Sequence, residues 1–197
     1  DIGLLLSSGI SKTNVYKKPN IVVFATGDEL VQPGNKLKSG QIYASSLFML
    51  KELIKLSGCY CKTIEILKDD KKTIKNSLKN VKNVDLIITT GGVSVGKKDL
   101  IKIALSELGM IEKFWKVKIK PGKPILFGMY KNIPVFGLPG NPVSTYVCYL
   151  IFVVEAVKKM LSNDLLLLRK NRVILTNTLQ NSSKREAYFR GKLFSKN

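Results

Sequence analysis

From Val84 to Asp99 the chain runs from a short apolar segment, Val84-Asp85-Leu86-Ile87-Ile88, through Thr89-Thr90-Gly91-Gly92-Val93-Ser94-Val95-Gly96, into apolar residues at helical spacing (Leu100, Ile101, Ala104, Leu105, Leu108). An apolar run bounded by glycines and followed by a helical period is a strand–loop–helix unit, and the rest of the chain has to be arranged around it. The glycines let backbone approach a ligand with no Cβ in the way. The first N–H groups of the following helix are unsatisfied donors, so a corner of this kind can hold an anion. Asp99, at the mouth of the helix, either caps it or works in the site. An ordinary crossover whose loop binds nothing has the same pattern, and this stretch alone does not separate the two.

The same alternation recurs on either side. Ile21-Val22-Val23-Phe24-Ala25 is apolar at every position, as expected of a central strand covered on both faces, and Thr26-Gly27-Asp28-Glu29-Leu30 leaves its carboxyl end. Leu47, Leu50, Leu53, Ile54 and Ser57 keep helical spacing up to Gly58, and Cys59 to Leu67 reads as a strand. Asp70 is placed to cap a helix holding Ile74, Leu78 and Val81, which leaves Asp69 at a strand end. Ile125-Leu126-Phe127 and Pro134-Val135-Phe136 are strands joined through Tyr130-Lys131-Asn132. Gly137-Leu138-Pro139-Gly140-Asn141-Pro142-Val143-Ser144 then opens a helix running from about Val143 to Met160, with Asn141 as its cap, and forms a second corner of the anion-binding type.

In Phe114-Trp115-Lys116-Val117-Lys118-Ile119-Lys120 a period of two puts Lys116, Lys118 and Lys120 on one face and Trp115, Val117 and Ile119 on the other. The lysine face is wet or it binds an anion. After Ser162, Arg172 to Thr176 and Tyr188 to Leu193 read as two strands, too few for a stable unit by themselves. The expected architecture is α/β: a three-layer, mainly parallel sheet with helices on both faces over 19–162, preceded by the end of an upstream domain or linker helix over 1–18. Residues 163–197 are expected to begin a small, incomplete β domain.

Composition removes several function classes. With no histidine in 197 residues, a Ser-His or Cys-His pair and His-ligated zinc are excluded, and acid–base work falls to Asp, Glu, Lys or Tyr. The net charge is +19. It is spread as lysines along the whole chain, while Arg169, Arg172, Arg185 and Arg190 stand only in the tail, so no nucleic-acid stripe is expected and an anionic small-molecule substrate is compatible. Cys59, Cys61 and Cys148 form no C-x-x-C pair and read as buried hydrophobes in a reducing cytosol. The most apolar run, Tyr146 to Val157, contains Glu155 and is too short to span a bilayer. A chain opening at Asp1 without Met is expected to be a fragment or a processed form.

Taken together, Thr26-Gly27-Asp28-Glu29-Leu30, Gly40-Gln41-Ile42-Tyr43, Asp69-Asp70, Gly91-Gly92-Val93-Ser94-Val95-Gly96 with Asp99, Lys120-Pro121-Gly122-Lys123-Pro124 and Leu138-Pro139-Gly140-Asn141-Pro142-Val143-Ser144 resemble the molybdenum insertases. These are the molybdopterin molybdenumtransferases, which include the bacterial MoeA proteins and the E domain of gephyrin. The pieces fall in one consistent order over Ile21 to Met160, which is far more specific than a single glycine loop. Ala44-Ser45-Ser46 departs from the Asp-Ser-Asn or Asp-Thr-Asn usual in the family.

The resemblance implies a reaction between molybdate and adenylylated molybdopterin that places the metal at the dithiolene and releases AMP. It implies Glu29, Asp69, Asp99, Lys116 and Lys120 as catalytic residues, with Glu29, Asp69 and Asp99 holding Mg²⁺ against a pyrophosphate. Thr26, Gly27, Gly91, Gly92, Ser94, Pro139, Gly140, Asn141, Pro142 and Ser144 would bind the pterin substrate. A cytoplasmic homodimer without nucleic-acid or membrane partners is implied, and a fragment lacking the family's N-terminal region is not expected to turn over. The alternatives are a molybdopterin adenylyltransferase of the same fold and a non-catalytic scaffold. Nucleotide release separates them, since the insertase liberates AMP, the adenylyltransferase consumes ATP and the scaffold does neither.

Overall fold

The computed structural model describes residues 1–92, 99–162 and 171–194. A short helix α1 (Ile2–Ser7) is followed by β1 (Asn20–Thr26), β2 (Leu30–Val31), β3 (Ile42–Tyr43), α2 (Ser45–Leu56), β4 (Tyr60–Leu67) and α3 (Lys71–Lys79). Then come β5 (Leu86–Thr90), α4 (Leu100–Glu107), β6 (Ile111–Trp115), β7 (Ile119–Lys120), β8 (Leu126–Tyr130) and β9 (Ile133–Leu138). A long helix starts as α5 (Pro142–Cys148), passes through one π-helical stretch (Tyr149–Val153) and ends as α6 (Val154–Leu161); β10 (Glu186–Ala187) lies in the tail.

The central sheet has the order β4-β1-β5-β9-β8-β6. β4, β1, β5 and β9 are mutually parallel, and β8 and β6 add antiparallel strands at one side. Strand alternation explains why the central runs are apolar throughout. Ile21, Val23, Ala25, Leu86, Ile88, Phe136 and Leu138 pack on one face against Leu47, Leu50 and Ile54 of α2 and Cys148, Tyr149, Val153 and Val157 of the long helix. Val22, Phe24, Ile87 and Val135 pack on the other against Ile74 and Leu78 of α3 and Ile101, Ala104 and Leu105 of α4. Two cores thus flank one sheet, giving the expected three-layer α/β fold.

Local chemistry sets the boundaries. The Asp70 carboxylate accepts from the Thr73 amide (2.7 Å) and hydroxyl (2.7 Å), so Asp70 caps α3 as expected. β8 and β9 are joined by Lys131 and Asn132, both at positive φ (50° and 62°), the condition for a two-residue hairpin whose twist matches its strands.

Two expectations fail. The run from Phe114 to Lys120 is not one strand: Lys116 takes φ 67°, its amide donates to the Ile125 carbonyl (2.8 Å), and β6 ends at Trp115. The left-handed residue turns the chain out of the sheet, so β7 pairs with β10 instead, and Lys116 does not share a strand face with Lys118 and Lys120. In the tail, Arg172 to Thr176 and Tyr188 to Leu193 form no strand; among the described residues of the tail only Glu186–Ala187 pairs as a strand, with the Tyr188 amide donating beside it to the Lys120 carbonyl (2.8 Å). A strand needs an opposing edge for its hydrogen bonds, and Ile174, 96% exposed, has none.

Candidate functional site

Four parallel strands deliver their carboxyl ends to one edge of the sheet, which brings the loops carrying Glu29, Asp69, Asp99 and Pro139 to that edge. β4 lies on one side of β1 and the later strands β5 and β9 on the other, so the chain reverses direction across the sheet between β1 and β5. Ligands of open α/β sheets bind at such a switch point. A cavity of about 270 Å³ opens there, lined by Thr26, Glu29, Tyr43, Gly91, Gly140 and Asn141 among others. A wider groove of about 520 Å³ lies between β4 and α3 and contains none of the expected site residues.

The glycines of the cavity are required by contact. Gly91 (φ 83°) passes so close to β1 that a Cβ would stand 2.6 Å from the Thr26 carbonyl oxygen. At Gly92 (φ 59°) it would stand 2.9 Å from Thr26 Oγ1 and 3.0 Å from Ile101. A Cβ on Gly140 would be 3.4 Å from the Gly91 Cα, so the two glycine corners abut. Thr26 Oγ1 is buried at this junction with no hydrogen-bond partner among the described residues, a donor and acceptor left for a ligand. The Glu29 carboxylate folds back over Gly27, within 2.7 Å of where a Cβ would be, and faces the same cavity.

Three hydroxyls that sequence reasoning missed hold the Pro139-Gly140-Asn141 turn. Ser46 donates to the Gly140 carbonyl (2.9 Å), and Thr90 (3.1 Å) and Thr145 (2.5 Å) both donate to that of Pro139. Ser46 belongs to the triplet that departs from the family pattern, and its buried hydroxyl supplies a polar role there after all. Ser46→Ala is expected to cost about 1 kcal/mol, roughly 2–4 °C in melting temperature for a domain of this size, read by thermal denaturation.

The second corner differs from the expected anion cradle. Asn141 Oδ1 accepts from the Val143 (3.0 Å) and Ser144 (3.2 Å) amides, so the donors at the head of the long helix are already occupied by its own cap. Asn141, Pro142 and Ser144 shape the turn, and Pro139 is buried beneath it. Ser94 lies outside the described residues.

The carboxylates do not gather. Glu29 lines the cavity; Asp69 is on the next loop, its amide donating to Asp28 Oδ1 (3.1 Å). Asp99 is at the head of α4, 8% exposed, with neither carboxylate oxygen hydrogen-bonded among the described residues. Burial pushes its carboxyl up to about 6, while the Lys102 amide and the Lys102 and Lys116 ammonium groups pull the other way. Among the described residues no three Asp, Glu, Cys or His side chains converge as a metal site, so the expected Mg²⁺ triad of Glu29, Asp69 and Asp99 is not assembled by these residues.

The lysines are also divided. Lys116 sets its ammonium 3.7 Å from the centroid of the Trp115 ring, whereas Lys120 is exposed on β7 beside the tail segment. Lys102 on α4, which sequence reasoning did not single out, stands over the same indole at 3.3 Å and pairs with Glu112 (3.0 Å).

Comparison with known proteins bears on this geometry. Residues 22–159 match the family model described as "Probable molybdopterin binding domain". The chain is 40% identical over 158 residues to a molybdopterin molybdenumtransferase of Haemophilus influenzae, covering 80% of this chain and 39% of that one. It is 38% identical over 154 residues to the molybdenum cofactor synthesis protein cinnamon of Drosophila melanogaster (78% and 26%). A crystal structure of a molybdopterin biosynthesis MoeA protein from Pyrococcus horikoshii superposes with a TM-score of 0.71 at 35% identity, covering 82% of this chain and 40% of that one. The chain therefore spans about two fifths of the length of the transferase relatives it matches.

Proposed function

The chain belongs to the molybdopterin-binding family of the MoeA and gephyrin-like proteins, and from that premise we propose that its switch-point cavity takes part in inserting molybdenum from molybdate into adenylylated molybdopterin, with release of AMP. The observation that carries this reading is the meeting of Thr26, Glu29, Gly91 and Gly140 around one cavity at the carboxyl ends of β1, β5 and β9. Backbone bared by glycine and an unpartnered buried hydroxyl suit a polar, anionic ligand held close to the chain.

In this reading the pterin substrate lies against Thr26, Gly91 and Gly92. Glu29, exposed at the cavity, is available to accept a proton or orient water as the pyrophosphate bond is cleaved, and Asp69 stands on the neighbouring loop. Lys116 and Lys120 supply positive charge to the molybdate and phosphate oxygens from the β6–β7 segment, and Asp99, at the head of α4, is the acid that exchanges a proton there. Because the acids form no three-carboxylate site among the described residues, no step is derived through a divalent cation. The same reading makes the enzyme a cytoplasmic homodimer acting on a small anionic substrate, with 19–162 as the substrate-binding domain.

The test is nucleotide release by the complete enzyme. Adding molybdate to enzyme charged with adenylylated molybdopterin is expected to release one AMP per pterin. Consumption of ATP with no molybdate requirement would instead make it an adenylyltransferase, and neither outcome would leave a binding module.

A further inference from the structure

Lys102 sits where helix electrostatics disfavour it. It lies in the first turn of α4, three residues after Asp99, and a cation there opposes the positive end of the helix dipole. A lysine with only a solubility role gains nothing from that position. Its ammonium is held by Glu112 of β6 at 3.0 Å and stands 3.3 Å from the centroid of Trp115, and its side chain is 24% exposed. The same indole carries the Lys116 ammonium at 3.7 Å. Two like charges against one ring repel, and Lys116 takes φ 67°, a left-handed conformation costly for a residue with a Cβ. Trp115 Nε1 is buried with no partner among the described residues, none of which fixes the ring by a hydrogen bond to it. The two ammonium groups lie against the ring itself.

The arrangement joins two segments far apart in sequence. Asp99 and Lys102 come from the loop and helix after β5, Trp115 and Lys116 from the end of β6. Both ammonium groups act on the Asp99 carboxylate, and neither forms an ion pair with it.

We propose that Lys102 is a positioning residue: through the shared Trp115 ring it sets where the Lys116 ammonium stands relative to Asp99, and it does not itself touch the substrate. This rests on the functional reading above, in which Lys116 supplies charge to the oxyanion. Glu112 anchors Lys102, and Lys102 and Lys116 share the indole. It replaces the sequence-derived pairing of Lys116 with Lys120, which the break in the strand removes.

The test uses Lys102→Met, which keeps the apolar stem and removes the charge, Lys102→Arg, which keeps charge and stacking, and Lys116→Met. In the complete enzyme Lys102→Met is expected to lower kcat for AMP release by about tenfold with KM for the adenylylated pterin changed by less than about twofold, and Lys102→Arg to recover most of the loss. If Lys102 acts through Lys116, the double variant is no slower than Lys116→Met alone. Wild-type kcat in Lys102→Met, no recovery in Lys102→Arg, or losses that multiply in the double variant would each overturn the proposal.

A readout free of substrate separates this from the function itself. Trp115 is the sole tryptophan of the 197-residue chain, so its emission reports the platform directly. Lys102→Met is expected to change that emission and Lys102→Arg to restore it. An unchanged spectrum refutes the platform whatever the reaction proves to be. A changed spectrum in a protein whose wild type releases no AMP refutes the functional reading and retains the Lys102–Trp115–Lys116 contact. Should Lys102→Met fail to fold, Lys102→Gln is carried through the same measurements and the same outcomes decide.

Discussion

Asp99→Asn is expected to slow AMP release by the complete enzyme about tenfold or more, a loss of roughly 1.4 kcal/mol or more of transition-state stabilisation, while making the fold more stable at neutral pH. The stability effect comes from one observation, a carboxylate 8% exposed with no hydrogen bond to either oxygen among the described residues, and the rate effect from the proposed role of Asp99 in the site. Burial raises the folded-state carboxyl to about 6, above its ordinary value of 3.8. Below about pH 4 the group is neutral folded or unfolded and costs nothing. Between about 4 and 6 the folded chain keeps a proton that the unfolded chain releases, so stability falls as pH rises, and above about 6 the penalty is complete. A shift of that size corresponds to at most about 3 kcal/mol, and because asparagine buries an unpartnered amide the net gain is roughly 1–2 kcal/mol. Urea denaturation of wild type and Asp99→Asn at pH 7.5 and pH 4 checks it: a difference at the higher pH that closes at the lower. Equal stability at pH 7.5 would mean that the carboxylate is satisfied in the folded chain.

Gly91→Ala is the substitution expected to damage the cavity most. Its φ of 83° already disfavours a side chain, and the added methyl would meet the Thr26 carbonyl oxygen at 2.6 Å, a backbone atom on the central strand that cannot swing aside. The expected cost is about 3 kcal/mol or more, combining left-handed strain with displacement of β5 from β1. Gly40→Ala is the matched control, because Gly40 also has positive φ (78°) with nothing within 4 Å of a Cβ, and only strain of about 1 kcal/mol is expected there. The difference in denaturation midpoint measures the close approach itself. Equal losses at the two positions would show that Gly91 is needed only for its turn.

Much of the architecture is legible in the residues because the layers impose their periods on the sequence. β1 and β5 read as central strands since both of their faces are buried, and Asp70 and Asn141 read as helix caps since their side chains reach the amides two or three residues on. That the loops after β1, β4, β5 and β9 meet at one edge follows from the same alternation, while the switch point between β1 and β5 depends on the strand order, which local patterns do not carry. Distant contacts, on which local patterns are silent, account for the misses. The alternation at Lys116, Lys118 and Lys120 is consistent with a strand, yet Lys116 turns left-handed beside Trp115, against which Lys102 of another element also packs. The Asn141 corner has the residues of an anion cradle, but its own side chain takes the donors. The hydroxyls of Ser46, Thr90 and Thr145 gain their role only when α2, β5 and the long helix meet at one turn.

The β8–β9 hairpin and the β1–β5 pairing lie at opposite ends of a scale of difficulty for a chain finding its fold. The hairpin closes over Lys131 and Asn132 alone, a local event of microseconds, whereas joining β1 to β5 brings residue 21 beside residue 86. Loop closure must be completed before that long-range pairing repays it. The cavity lies between β1 and β5, so a half-folded chain that carries its hairpin but not this long-range pairing has no binding site.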